Sequence, residues 1–331
     1  MPKQPLPQTR IIWAIDPFAP QGDAQQSTIL AIKAITQRQS AYILPVYVAS
    51  DPRHQIAPEQ REGFNRALAD EAQEEIDAWL GAVGISRMNG LKPIQIIGPT
   101  GSSLREQITE LLTFAHRETA DLIVASTKAR KGPSRWLFGS FVETLSLFCD
   151  LPLLAVNPHW NPVKDDPKKP VSQWFERILF PTDFSEESHR AFIQLLPFAR
   201  SMKAHVTLFH KISMGLAVMP EAAISMVSLS EEAREAEIEV SRQAAEQWCR
   251  EARHANIQAD AIIDYHLGEP VAASILKESR RSPCLIAMAG ESTRLEAQVL
   301  GSVTRQVLRN STNPVWVIHP NIEEEERRRA A

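Results

Sequence analysis

Four basic residues and two glycines share one short loop of this sequence. The stretch KARKGPSRWLFGS runs from Lys128 to Ser140, between the apolar run DLIVAST and the helically spaced segment FVETLSLF. A basic loop that enters a helix can hold a phosphate, because free backbone N–H groups and the positive end of the helix dipole face the ligand. A solvated connector is the alternative, since lysine-rich loops are common on protein surfaces. The sequence leaves both interpretations open.

Length and composition are those of a globular chain. The 331 residues suffice for two domains, with 44% hydrophobic and 23% charged residues. A net charge of -4 gives no reason to expect nucleic acid or an acidic membrane surface as a partner. No apolar run could cross a bilayer, and MPKQPLPQTR has no signal-peptide core, so we expect no membrane insertion. Three cysteines without metal-ligand spacing indicate a reducing cytoplasm: Cys149, Cys249 and Cys284.

The second half of the sequence repeats the first at an offset of 162–170 residues. The matching segments, in order, are RIIWAIDPF with RILFPTDFS, AYILPVYVAS with AHVTLFHKIS, IIGPTGSSLREQI with YHLGEPVAASIL, DLIVAST with CLIAMAG, and LPLLAVNP with NPVWVIHP. Each copy also contains a Gly-Ser pair, Gly139-Ser140 and Gly301-Ser302. We therefore predict one domain written twice: residues 1–160 and 176–321, joined by a linker over 161–175 and followed by a charged tail over 322–331.

Short β-branched runs alternate with helical segments in each copy, which predicts an α/β fold with a parallel sheet covered on both faces. PEQREGFNRALADEAQEEIDAWLGAVG predicts an amphipathic helix ended by glycine. Its counterpart in the second copy is predicted to begin at a capping box, Ser228 and Glu231. The Pro-rich, charged segment NPHWNPVKDDPKKPVSQW is interpreted as a linker without an element of its own.

Two segments of the second copy resemble the universal stress protein family: PTDFSEES (Pro181 to Ser188) and LGSVTRQVLRNSTNPVWVI (Leu300 to Ile318). The resemblance covers nearly the whole chain, as a tandem of two such domains. It implies two open parallel five-stranded sheets with helices on both faces, in a cytoplasmic bacterial protein of the stress response. Some members of the family bind ATP through a loop of the form G-x2-G-x9-G-[ST], and others lack these glycines and bind no nucleotide.

The first copy keeps the spacing of this loop but only part of its glycines. Ser126 and Ala129 stand at the first two glycine positions, and Gly139 and Ser140 stand at the end of the pattern. Both replacements are small, so the backbone can still come close to a phosphate, although neither adopts positive φ as readily as glycine. Ser140 also begins an S-x-x-E capping box with Glu143, which alone would explain both residues.

The resemblance also assigns the remaining residues of a nucleotide site in the first copy. Asp16 would contact the adenosine, and Val48 would lie against the adenine. A turn-forming aspartate and an ordinary strand residue are the alternatives. Arg130 and Lys131 add positive charge at the loop. The predicted cofactor is therefore ATP, which Mg²⁺ could accompany.

The second copy matches the family better but forms the poorer phosphate site. Its weaker equivalents of the site residues are Asp183, Gly290, Gly301 and Ser302. Lys211 replaces the apolar residue Val48, and the loop carries Glu291 and Glu296 against Arg294 alone. Because these carboxylates would repel a triphosphate, we expect the nucleotide in the first copy.

No catalytic motif accompanies the loop. The sequence lacks the G-x4-G-K-[ST] and G-x-S-x-G patterns, and no cysteine has an evident base partner. We therefore expect no enzyme, with at most weak incidental ATP hydrolysis. Two functions stay open: a stress-response regulator that binds an adenine nucleotide in the first domain, and a nucleotide-free protein that binds a protein partner or an unknown small apolar ligand.

The resemblance implies, finally, self-association through the fifth strands of the two copies, Leu153 to Val156 and Val315 to Ile318. Each of these short apolar runs follows a proline. An uncovered apolar edge promotes aggregation, and fusion in one chain raises the effective concentration of the second edge. We therefore expect the two strands to pair within the chain as an internal dimer.

Overall fold

Strands and helices alternate along the chain in the order expected from the sequence. The computed structural model describes residues 9–18, 22–49, 58–98, 103–127, 140–165, 168–212, 224–266, 268–290 and 301–319. The first half contains β1 (Thr9–Ala14), α1 (Gly22–Thr36), β2 (Ala41–Val48), α2 (Pro58–Ala82), β3 (Gln95–Ile97), α3 (Leu104–Arg117), β4 (Leu122–Ser126), α4 (Ser140–Phe148) and β5 (Leu153–Val156).

The second half repeats this order after a short connecting region. The connection contains α5 (Pro162–Asp165) and a 3₁₀ turn (Val171–Phe175). The elements that follow are β6 (Arg177–Pro181), α6 (Glu186–Met202), β7 (His205–Lys211), α7 (Ile224–His254), β8 (Gln258–Asp264), α8 (Val271–Arg281), β9 (Leu285–Ala289), α9 (Ser302–Asn310) and β10 (Val315–Ile318).

The two five-stranded parallel sheets join into one ten-stranded sheet, in the order β3-β2-β1-β4-β5-β10-β9-β6-β7-β8. The join is the antiparallel pair of the fifth strands, with Val315 opposite Ala155 and Val317 opposite Leu153. The predicted fold class and the predicted pairing within the chain are thus confirmed. Because each fifth strand also has a parallel neighbour, neither presents a free edge.

Successive strand residues face opposite sides of the sheet, and each side has its own core. Ile11 and Trp13 pack with α1, α2, α6 and α7, whereas Ile12 packs with α3, α4, α8 and α9. Each core runs across the join, since both contain residues of β5 and β10. No helix in the described part of the chain is long and apolar enough to cross a membrane.

The segment expected to be a bare linker carries structure. Trp160 stacks on Phe175 with ring centroids 5.8 Å apart, and Val171 and Trp174 are buried in the same core. Gln37 Oε1, just after α1, accepts a hydrogen bond from the Ser172 N–H. Proline and charge dominate the composition of this segment, but its few large apolar residues anchor it, which corrects the prediction.

The predicted start of α7 also needs correction. Helix α7 begins at Ile224, so the predicted capping-box residue Ser228 lies inside the helix. The S-x-x-E spacing also occurs within helices, and here it does not mark the first turn. In α4, both carboxylate oxygens of Glu143 accept hydrogen bonds from Arg309, at 2.5 and 2.8 Å. Glu143 thus links α4 to α9 of the other half, a role that a capping box does not predict.

Candidate functional site

The first half brings three of its predicted site residues to one edge of the sheet. Strand β1 lies between β2 and β4, so the chain changes direction across the sheet there, which is where open α/β sheets bind ligands. Asp16 follows β1, Val48 ends β2 and Ser126 ends β4. The registers pair Ala14 with both Val46 and Ala125, so the three site residues lie at about the same height.

Asp16 forms the turn that leaves β1. Its Oδ1 accepts a hydrogen bond from the Phe18 N–H at 3.2 Å. The Phe18 ring meets Tyr47 edge-on, with centroids 5.5 Å apart, and its side chain is partly exposed. Asp16 therefore forms the turn that the sequence analysis considered as the alternative role. Its carboxylate also lies at the carboxyl edge of the sheet, where open α/β sheets bind ligands.

Ser126 supplies a polar group that the described residues leave without a partner. Its Oγ is buried and has no hydrogen-bond partner among them. The next residue is fixed, because the Thr127 N–H donates to the Val156 carbonyl at 2.8 Å. A buried hydroxyl without a partner is unfavourable, so an acceptor or donor brought by a ligand would stabilise this position.

Val48 and Ile97 form an apolar pair at the ends of β2 and β3. They are directly opposite in the parallel register, and both are half-buried against the core that contains α3 and α4. Side by side, two such residues offer a flat apolar surface to a ring system. Ile97 was not predicted as a site residue, because only the strand register places it beside Val48.

Beyond Ser126, the structure describes Ser140 of the predicted phosphate loop. Ser140 is the first residue of α4, where backbone N–H groups have no intrahelical acceptor. The predicted residues Ala129, Arg130, Lys131 and Gly139 lie outside the described residues.

In the second half, an ion pair occupies the position of the apolar pair. Lys211 and Asp264 are opposite each other in the β7–β8 register, as Val48 and Ile97 are in the first half. The Lys211 Nζ lies 2.9 Å from Asp264 Oδ2, and the two side chains are only 3% and 13% exposed. Burial opposes ionisation of Asp264, but hydrogen bonds from Lys211 and His266 outweigh it and hold the pKa of this carboxyl below its ordinary value.

Asp183, the counterpart of Asp16, is bound within a helix cap. Its Oδ1 accepts hydrogen bonds from Ser188 Oγ at 2.6 Å and from the Ser185 N–H at 2.9 Å. Ser185 in turn caps α6 by accepting from the Ser188 N–H. Burial acts to raise the pKa of Asp183, but these hydrogen bonds outweigh it, so the pKa lies below its ordinary value. The carboxylate therefore already has local donors.

His319 lies against Gly290, the glycine predicted to face a phosphate in the second half. A methyl group added to Gly290 would lie 2.4 Å from His319 Nδ1. Burial lowers the pKa of His319 to about 4, despite the opposing charge of Asp150, so the ring is neutral at pH 7. Its Nε2 has no partner among the described residues. Gly301 and Ser302 lie at the start of α9.

The described residues contain no group of three or more His, Cys, Asp or Glu side chains placed to bind a metal ion. The thiols are also poorly suited to chemistry in this fold. Burial raises the pKa of Cys149 and of Cys284 to about 12, which keeps both protonated at neutral pH.

Comparison of the whole fold with solved structures finds chains of the same fold and similar length. A universal stress protein from Archaeoglobus fulgidus DSM 4304 is 17% identical with a TM-score of 0.58, and the match covers 95% of this chain and 97% of that one. A putative universal stress protein from Pseudomonas aeruginosa UCBPP-PA14 is 15% identical with a TM-score of 0.55, covering 98% of each chain. A functionally unknown protein from Pseudomonas aeruginosa PAO1 is 17% identical with a TM-score of 0.56, covering 95% and 93%.

Among curated proteins, no sequence matches this chain. The family model for the universal stress protein family matches it twice, over residues 9–157 and 175–319. These two matches span almost all of the chain, and they coincide with the two halves of the sheet. The chain therefore belongs to the universal stress protein family, as a member with two tandem domains.

Proposed function

We propose that this protein is a cytoplasmic stress-response regulator that binds an adenine nucleotide, ATP, at the carboxyl edge of its first half. The second half acts as the structural partner that covers the fifth strand. The proposal rests on the contrast between two equivalent positions: Val48 with Ile97 in the first half, and Lys211 with Asp264 in the second. An adenine ring can lie on the apolar pair, but it would have to displace the ion pair.

The chemistry of the described residues suits such a ligand. The Asp16 carboxylate can accept hydrogen bonds from ribose hydroxyls, and Ser126 Oγ can donate to a phosphate oxygen. Backbone N–H groups at the start of α4, near Ser140, can bind a phosphate. Arg130 and Lys131 would add the charge-assisted contacts that the sequence analysis expects, and any Mg²⁺ would be bound together with the phosphates.

An exchange of the two pairs tests the proposal in the intact chain. Val48→Lys with Ile97→Asp introduces the ion pair into the first half without changing the net charge. We expect ATP affinity to fall at least tenfold, about 1.4 kcal/mol, in a calorimetric titration. The matched control, Lys211→Val with Asp264→Ile, makes the converse change in the second half and should leave this affinity unchanged. Equal ATP binding by the wild type and the first-half variant would contradict the proposal.

A second function is supported by the second half, where side chains already occupy the positions at which a nucleotide would bind. Asp183, Lys211 and Gly290 all have internal contacts where a nucleotide would bind. If the first half is closed as well, the protein acts without nucleotide, by binding a protein partner or an apolar ligand. Failure of the wild type to bind ATP at millimolar concentration would favour this function. In neither case do we assign a catalytic residue, and we propose that the protein is not an enzyme.

A further inference from the structure

A groove lies at the amino ends of the second half's strands, opposite the carboxyl edge that holds Asp183 and Lys211. It has a volume of about 710 Å³ and forms where the 3₁₀ turn Val171–Phe175 meets the amino ends of β6, β7 and β8. This volume is within the range of about 300–1,000 Å³ that is typical of small-molecule sites. The groove can therefore accept one ligand of drug-like size.

The inner lining of the groove is apolar, with one polar group that lacks a partner. Trp174, Ala199, Ala204 and Ile257 line it and are buried. Trp174 is only 9% exposed, and its Nε1 has no hydrogen-bond partner among the described residues. A buried indole N–H normally donates a hydrogen bond, so this donor is left unsatisfied beside the groove.

The outer lining is positively charged. Arg177, Arg200 and Lys203 line the groove and are exposed. The carboxylate that also lines it, Glu176, is already paired with Arg38 of the first half. The cations therefore exceed the free carboxylates, and the groove presents positive charge above an apolar floor.

Helix ends account for part of this charge. Arg200 lies in the last turn of α6 and Lys203 follows its end, where cations stabilise the helix dipole. Arg177, by contrast, begins a strand and donates to Ser282 Oγ across the groove. The helix dipole explains neither Arg177 nor the apolar floor of the groove.

We propose that this groove is a second ligand site, which binds an organic anion with a flat apolar body. The rings would lie on Trp174 and Ile257, and the carboxylate, sulfonate or phosphate group would meet Arg200 and Lys203. The site is independent of the nucleotide site. Because Trp174 lines the groove, a bound ligand would also contact the segment that joins the two halves, which Ser172 and Glu176 tie to the end of α1.

Anilinonaphthalene sulfonate, a fluorescent aromatic anion, is a direct probe of the site. We expect one molecule to bind per intact chain, with micromolar affinity. Arg200→Gln with Lys203→Gln should weaken binding about tenfold, since two charge-assisted contacts are lost. The control, Arg87→Gln with Arg242→Gln, removes the same charge at exposed residues outside the groove and should change affinity less than twofold. Trp174→Phe replaces the indole by a smaller aromatic ring, which reduces the apolar floor of the groove, and should weaken binding severalfold.

Two further measurements separate this site from non-specific binding. Phenylnaphthylamine, which has the same rings without the sulfonate, should bind at least tenfold more weakly and should be insensitive to the arginine and lysine changes. Excess ATP should not displace the sulfonate. Equal binding by the wild type and the Arg200/Lys203 variant, an equal loss in the control variant, or displacement by ATP would each overturn the proposal. Circular dichroism and the melting temperature verify that every variant is folded.

Discussion

Removal of the Lys211 ammonium group should destabilise the protein strongly. The Lys211 side chain is 3% exposed and that of Asp264 is 13% exposed, so Lys211→Met leaves a nearly buried carboxylate without its cation. Loss of one partner of a buried ion pair costs about 3–5 kcal/mol. We expect a decrease of this size in the free energy of unfolding at pH 7, measured by urea denaturation with circular dichroism.

The pH dependence follows from the pKa of Asp264. Because the folded-state pKa lies below the unfolded value, about 3.9, the pair stabilises the wild type fully above that value. This stabilisation is lost as the pH falls through the folded pKa. In Lys211→Met, burial without the cation should raise the pKa of Asp264 instead. The difference between variant and wild type should therefore shrink between pH 7 and pH 4.

Matched variants isolate the effect of burial. Lys277 pairs with Glu269 at 3.3 Å, but its side chain is 66% exposed, so Lys277→Met should cost less than about 1 kcal/mol. Lys211→Met with Asp264→Leu removes both charges and should recover most of the loss. If Lys211→Met costs no more than Lys277→Met, the Lys211–Asp264 pair does not close the second site in the way we describe.

Two other perturbations test the join and the second site. Leu154→Asp with Val315→Asp places charges in the two buried strands of the join. The melting temperature should fall sharply, and the particle should expand in small-angle scattering. Unchanged values would show that β5 and β10 do not pair in solution. Gly290→Ala should destabilise the protein by about 1–3 kcal/mol in urea, because its methyl group meets His319, whereas Gly81→Ala, in open space on a helix, should be neutral or stabilising; equal effects would contradict the contact.

Much of the architecture is readable from the sequence because the chain repeats itself. Short apolar strands alternate with helical segments in both copies, and that order predicts a parallel sheet in each. The pairing of the fifth strands, which contain Leu154 and Val315, was implied by the resemblance to the family; the short apolar runs add only that these edges need to be covered.

Strand register and long-range contacts are what the sequence does not reveal. Alignment of the two copies by residue type matches Ile97 with His266. The strand registers show instead that Asp264 occupies the position equivalent to Ile97. The ion pair beside Lys211 was missed for this reason. The segment between the two halves was predicted to be a bare linker because its overall composition is rich in proline and charge. The burial of Trp174 depends on contacts with the core that both halves share, which composition does not show.

The number of ATP molecules bound per chain tests the central claim most directly. Native mass spectrometry of the intact chain, titrated with ATP, resolves each bound nucleotide as a separate mass increment. The contrast between Val48 with Ile97 and Lys211 with Asp264 predicts one ATP per chain for the wild type, and predicts that Val48→Lys with Ile97→Asp needs at least tenfold more ATP to reach the same occupancy. Two bound nucleotides would contradict closure of the second half, and none on the wild type would contradict a nucleotide site in the first.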